Sequence, residues 1–173
     1  MDVLLVVDMQ EGLLRGAPKR DLGGVVERIN ALAARVRHRG GAVVFVRHDG
    51  PPGDDFEPLT PGWRLLSSLD VEPRDRIVSK KLNDAFFETS LQSDLTDLRA
   101  RRLLIAGWAT DLCVDATVRS AVASGHEVVV IADGHTVSDR PHLSAERVIE
   151  HHHWVWANLL APRPVAIARA ADL

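Results

Sequence analysis

Three residues far apart in this chain have side chains that can together cleave a carbonyl–nitrogen bond. Cys113 is the only cysteine among 173 residues. It lies where a short apolar run, Leu103 to Ala106, passes through Gly107 into an amphipathic segment carrying Val114, Thr117, Val118 and Ala121. That pattern predicts a buried strand, a tight turn and the first turn of a helix. A thiol at such a join has its thiolate favoured by the free N–H groups and dipole of the helix start. Asp8 ends a second apolar run and Lys80 a third. In such a set the aspartate takes the thiol proton and passes it to a leaving amine, while the lysine holds the carboxylate in its ionised form. The N–H groups of Ala109 and Cys113 are expected to face the oxyanion, with Thr110 capping the helix.

Each residue alone has a plainer explanation. A lone cysteine is more often a small buried hydrophobe, and an aspartate after a strand is often a turn residue. Their joint placement after strand ends favours chemistry. The eight histidines do not suggest a metal centre. His151, His152 and His153 are consecutive, so on a helix they point in different directions, and they read as solvated. His48–Asp49 has no closely spaced histidine partner, so no metal and no cofactor are expected. His135 and His142 read as hydrogen-bonded loop residues. Trp63 is a candidate pocket wall. Trp154 and Trp156 lie two apart and so occupy different faces of one helix, leaving one for a subunit interface.

The elements that must carry these residues alternate in type. Continuous apolar runs at 3–7, 42–46 and 127–132 predict buried strands, 76–79 and 103–106 read as shorter strands, and 165–168 as a final edge strand. Helical spacing joins Val25, Val26, Ile29, Leu32, Ala33 and Val36, then Leu91, Leu95 and Leu98, then 111–124, then 142–160. Residues 11–21 and 48–62 are rich in glycine and proline and read as loops, the second on one rim of the fold. Strands alternating with helices give an α/β fold with a parallel sheet covered on both faces, and ligands in such sheets sit beyond the carboxyl ends of strands. Asp8, His48, Lys80 and the stretch 107–113 all fall there.

Length and composition narrow the classes. The chain has the size of one compact domain, residues 1–173. The formal net charge of −3 points to neither nucleic acid nor a membrane surface as partner. No apolar run nears the roughly 20 residues that a membrane helix needs. The start MDVLLVVDMQ has neither the basic residues nor the cleavage site of a signal peptide, and a single cysteine fits a reducing compartment, so a cytoplasmic location is expected.

Three stretches in order resemble the isochorismatase-like cysteine hydrolase superfamily, in its metal-free branch. VVDMQ matches the family's strand–Asp–x–Gln opening, giving Asp8 and Gln10. KLNDAFFETSL, which follows Lys80, matches its lysine motif. GWATDLCVDAT, residues 107–117, matches its nucleophile motif. The resemblance implies a Rossmann-like three-layer sandwich with six parallel strands in the order 3-2-1-4-5-6 and helices on both faces. It implies Asp8, Lys80 and Cys113 as a triad working through an acyl-thioester, and a non-proline cis peptide at Trp108–Ala109. It also implies a homodimer or homotetramer. Gln10, His48, Trp63, Phe86 and Trp108 become candidate pocket residues. The expected activity is cleavage of an amide, carbamoyl or lactam C–N bond in a small molecule. The alternatives are a vinyl-ether hydrolase of isochorismatase type with Asp8 as acid, and a non-catalytic binding or structural subunit.

Overall fold

The computed structural model describes residues 1–173. In chain order the main elements are β1 (Asp2–Val7), α1 (Glu11–Leu14), α2 (Leu22–His38), β2 (Ala42–His48), β3 (Arg76–Lys80), α3 (Leu91–Asp97), β4 (Arg102–Trp108), α4 (Asp115–Ala123), β5 (Glu127–Thr136), α5 (Ala145–Ala157) and β6 (Ala166–Ala168). The six strands form one sheet in the order β3-β2-β1-β4-β5-β6, and every pairing is parallel. Strand order reverses between β1 and β4, which is where Asp8 and Cys113 emerge.

The continuous apolar runs become central strands because both faces are covered. Val3, Leu5 and Val7 point into one apolar layer with Val44, Leu103, Ile105, Leu91 of α3, Val118 of α4 and Trp156 of α5. Leu4 and Val6 point into the other, against Ile29, Leu32 and Val36 of α2. The alternating residues of β1 thus fill two cores, and the strand from Val3 to Val7 is completely buried.

Element edges differ from the pattern reading in two informative places. The stretch 11–21 contains the short helix α1 rather than loop throughout. β5 runs on to Thr136 instead of ending at 132, because it bulges. Val130 pairs with Ile105 and His135 with Gly107, so residues 131–134 all sit opposite Ala106. The bulge brings His135 back into the sheet beside the nucleophile turn.

Candidate active site

The three expected residues meet. Lys80 Nζ lies 2.6 Å from Asp8 Oδ2 and 3.4 Å from Cys113 Sγ, and it donates to the Leu82 carbonyl at 2.9 Å. Its fourth neighbour, His48 Nδ1, is 3.5 Å away. An ammonium has three protons, so the thiol and the imidazole share one of them. Asp8 and Lys80 are buried, while Cys113 is half-buried and reachable from outside. Asp8 Oδ1 has no hydrogen-bond partner of its own. The thiol is the group that faces this carboxylate.

Backbone geometry explains the convergence. In an extended chain Asp8 would follow Val6 toward the α2 face. Its φ of 52° turns the side chain to the opposite face, where Lys80 and Cys113 lie. A non-glycine residue in that region costs about 1–3 kcal/mol and persists only where the surroundings hold it. Here Asp8 N–H donates to the Val46 carbonyl and the Asp8 carbonyl accepts from Gln10 N–H, both at 2.9 Å. Gly107 permits the approach of β4. It has a φ of 127°, and a Cβ there would come within 2.1 Å of the Val7 carbonyl oxygen. The peptide between Trp108 and Ala109 is cis, and the Ala109 N–H forms no hydrogen bond with another backbone group.

Cys113 does not open an α-helix. Residues Thr110–Val114 form a π-turn, with Val114 N–H bonded to the Ala109 carbonyl, and α4 follows it. Thr110 does not cap. Its hydroxyl is buried against β5, 2.8 Å from His135 Nδ1 and 3.1 Å from the Thr136 carbonyl. Asp111 is gripped by Arg140 through two bonds of 2.6 and 2.7 Å. A π-turn is rare and short, and it survives here through these side anchors.

The electrostatics revise the expected resting state. Burial pushes the Asp8 carboxyl above the ordinary carboxylate range, outweighing the Lys80 ammonium beside it. Burial, followed by the Asp8 charge, pushes the Cys113 thiol up to about 12, with Lys80 opposing. The cysteine therefore rests as a thiol and not as the thiolate expected from a helix start. The same burial makes Asp8 a better base. It makes the thiol a weaker acid too, so the transfer has to be coupled to attack of the sulfur on the substrate.

The candidate pocket residues divide. His48 stays at the site, against Lys80, and burial and the ammonium hold its imidazole neutral. Gln10 adjoins the site but has no free polar atom for a substrate. Its amide donates to the carbonyls of His48 and Trp63 and accepts from His48 N–H. It is a clamp. Trp63 lies on the rim, its N–H bonded to Asp49 at 2.6 Å and its ring under the Arg47 guanidinium. Trp108 ends β4 beneath the Lys19 ammonium. Phe86 is not in the site. Its ring lies 5.8 Å from that of His126, at the amino end of β5. The segment after Lys80 descends along α4, tied by Ala85 N–H to Thr117 and by Asp84 to Ser120.

Sequence reasoning missed Asn83, whose Oδ1 is 3.6 Å from Cys113 Sγ. It stood inside the lysine motif, and only its place three residues past a strand end hinted at the rim. The histidine run is not solvated throughout. His153 meets His135, and His152 bonds to the Val148 carbonyl. Trp154 is exposed and Trp156 buried, as their spacing required. No three His, Cys, Asp or Glu side chains converge into a cluster suited to a metal ion, and no helix is long and apolar enough to cross a membrane.

A fold of this order, with a thiol, an acid and an ammonium at its switch point, defines an isochorismatase-type α/β protein. The family model for the isochorismatase domain matches residues 2–158, and the chain belongs to that family. It is 37% identical over 142 residues to a streptothricin hydrolase of Streptomyces noursei, covering 82% of this chain and 56% of the relative. The chain thus spans about half the length of that relative. A ureidoacrylate amidohydrolase of Methylorubrum extorquens is 28% identical over 169 residues, covering 76% of this chain and 68% of that one. The crystal structure of an isochorismatase family protein superposes with a TM-score of 0.87 at 28% identity, covering 96% of each chain.

Proposed function

We propose that this protein hydrolyses a C–N bond of a small molecule, an amide, carbamoyl or lactam, with Cys113 as nucleophile. The observation that carries this reading is the single ammonium of Lys80 touching both the Asp8 carboxylate and the Cys113 sulfur. Asp8 takes the thiol proton as sulfur attacks the carbonyl carbon and a C–S bond forms. The negative oxygen develops beside the N–H groups of Ala109 and Cys113. Asp8 returns the proton to the nitrogen, the C–N bond breaks, and an acyl-thioester remains. Water then gives a proton to Asp8 and attacks the thioester carbon. The C–S bond breaks, acid is released, and the proton returns to sulfur. Lys80 keeps the carboxylate in place throughout. One relative is named an amidohydrolase and the other a hydrolase, and the first name supports the bond class. A homodimer or homotetramer belongs to the same reading, and sedimentation tests it.

The test is a screen over primary amides and carbamoyl amino acids, read by ammonia release, and over lactams, read by the ring-opened amino acid, with Cys113→Ala beside the wild type. The alanine variant should fold normally and release nothing, and iodoacetamide should inactivate the wild type at one label per chain. Full turnover by Cys113→Ala would end the thiol mechanism. One observation favours a second reading. An Asp8 with a raised pKa is also a serviceable acid for a vinyl ether. In that case Cys113→Ala stays active on the ether while Asp8→Asn does not.

A further inference from the structure

At the start of the nucleophile turn lies a second buried polar cluster, which the proposed reaction leaves unused. Thr110 Oγ1 contacts His135 Nδ1 at 2.8 Å, and His135 Nε2 contacts His153 Nε2 at 3.0 Å. Thr110 and His135 are buried. His153 is half-buried and helps line a cleft of about 650 Å³ between the start of α2, the β5 bulge and α5. The charges of that cleft are paired among themselves, Arg20 with Glu146 and Arg28 with Asp21. The histidines are therefore its link to the interior.

Hydrogen counting leaves the chain two directions. Two neutral imidazoles that meet through Nε2 need one donor and one acceptor. The Thr110 hydroxyl has two possible acceptors, His135 Nδ1 and the Thr136 carbonyl at 3.1 Å, and one proton to give. If His135 carries its proton on Nε2, its Nδ1 is a lone pair and Thr110 donates to it. If His135 carries the proton on Nδ1, Thr110 must accept, and its own proton turns to the Thr136 carbonyl. The first arrangement makes His153 Nε2 the acceptor and the second makes it the donor, so in either one the protonation of His153 sets that of His135.

We propose that His135 and His153 are positioning residues for the nucleophile. His153 sets the tautomer of His135, and His135 Nδ1 thereby holds the hydroxyl of Thr110, the first residue of the π-turn that carries Cys113. Neither imidazole touches the reacting atoms. Thr110 held to β5 and Asp111 held by Arg140 clamp two successive residues of a turn whose register has little intrinsic stability. Loosening the first clamp lets the turn relax toward α-helical register and moves the sulfur off its line to Asp8.

This inference rests on Cys113 as the attacking atom, and the test separates the two. Because the chain has one cysteine, iodoacetamide reports on that turn alone, without a known substrate. Thr110→Val and His153→Leu should slow alkylation about fivefold to tenfold. Thr110→Ser and His153→Gln, which restore a donor and an acceptor, should return it to within about twofold of wild type. Valine matches threonine in shape, so a packing role predicts the reverse order, with valine tolerated and serine worse. His153→Leu alters a half-buried surface position and keeps the fold if Thr110→Val does not. Nitrogen-15 NMR at neutral pH should show His135 as one neutral tautomer in the wild type and a changed or mixed tautomer in His153→Leu. A valine variant that labels at the wild-type rate, or a His135 tautomer unchanged by His153→Leu, overturns the proposal. A wild-type thiol that does not label at all instead defeats the hydrolase reading, and the NMR tautomer still decides whether the anchor exists.

Discussion

Two regions share the rim above the carboxyl ends of the strands, and they are built on opposite principles. The floor sets Asp8 and Lys80, buried at strand ends, beside the half-buried thiol on its π-turn. The connection from Asp49 to Asp75 is largely exposed, has no regular helix or strand, and contains five of the nine prolines. It is tied to residues 9–12 by backbone bonds at Arg64, Gly62 and Leu66, by a bridge between Leu65 and Gln10, and by side-chain bonds. The floor has the groups for bond cleavage at fixed distances. The loop supplies Asp49 and Glu57, and Lys81 lies opposite them, around a cleft of about 660 Å³ that we assign to substrate selection. Catalysis and selectivity are thus separable here, and substitutions should sort accordingly.

The largest effect belongs to the floor. Asp8→Asn should lower turnover about a thousandfold by removing the base. It also leaves the Lys80 ammonium buried without its counter-charge, at about 3 kcal/mol, read by urea denaturation. In the wild type Asp8 must be ionised to accept the thiol proton. Its pKa is raised from 3.8, so the rate is full above that raised value and falls as pH drops through it, earlier than for an ordinary carboxylate. Alkylation of Cys113 should keep climbing far into alkaline pH, because the thiolate fraction grows until about 12. A labelling plateau by pH 8 would mean that the resting thiolate, and not assisted transfer, does the work.

Gly107→Ala should come next. The added Cβ meets the Val7 carbonyl oxygen at 2.1 Å, and the φ of 127° suits glycine alone. The expected cost is about 3 kcal/mol, seen as a lowered Tm with activity falling in step. An unchanged Tm would show that the strands can separate there and that the floor is softer than its burial implies.

Much of the floor was legible in the chain, and the reason is local. Val3 to Val7 and Leu103 to Ala106 are apolar without interruption, so they are central strands, and whatever follows them stands on the rim. The π-turn was not legible. Its extra residue is held by His135 and Arg140, which are 25 and 29 residues away. The same limit misplaced His153, whose partner is reached only through the bulge in β5. Phe86 failed differently. Its motif matched, but the segment after Lys80 turns down along α4, a path set by Thr117 and Ser120. Gln10 was found by its motif and given the wrong task, because its three bonds go to backbone groups that no side-chain pattern reveals.

Gln10 joins the two regions, so its substitution should fall between them in effect. Gln10→Leu leaves His48 N–H and two carbonyls without partners, a cost of about 2 kcal/mol. The loop should loosen before the triad does. KM is expected to rise several-fold more than kcat falls. Equal losses in both would show that the clamp also sets the position of Asp8.

The smallest effect should come from the loop itself. Trp63→Phe keeps an aromatic ring beneath Arg47 and removes only the N–H that holds Asp49 at 2.6 Å. That bond is partly exposed, so water replaces much of it, and the stability loss should be about 1 kcal/mol. Asp49 is then free to turn, and it borders both the 660 Å³ cleft and the smaller one of about 160 Å³ beside Lys80. Turnover should stay near wild type while the ranking of substrates by kcat/KM changes, most for substrates carrying a cation near the scissile bond. If kcat drops as far as it does for Gln10→Leu, the loop is part of the catalytic floor, and the separation between the two regions is lost.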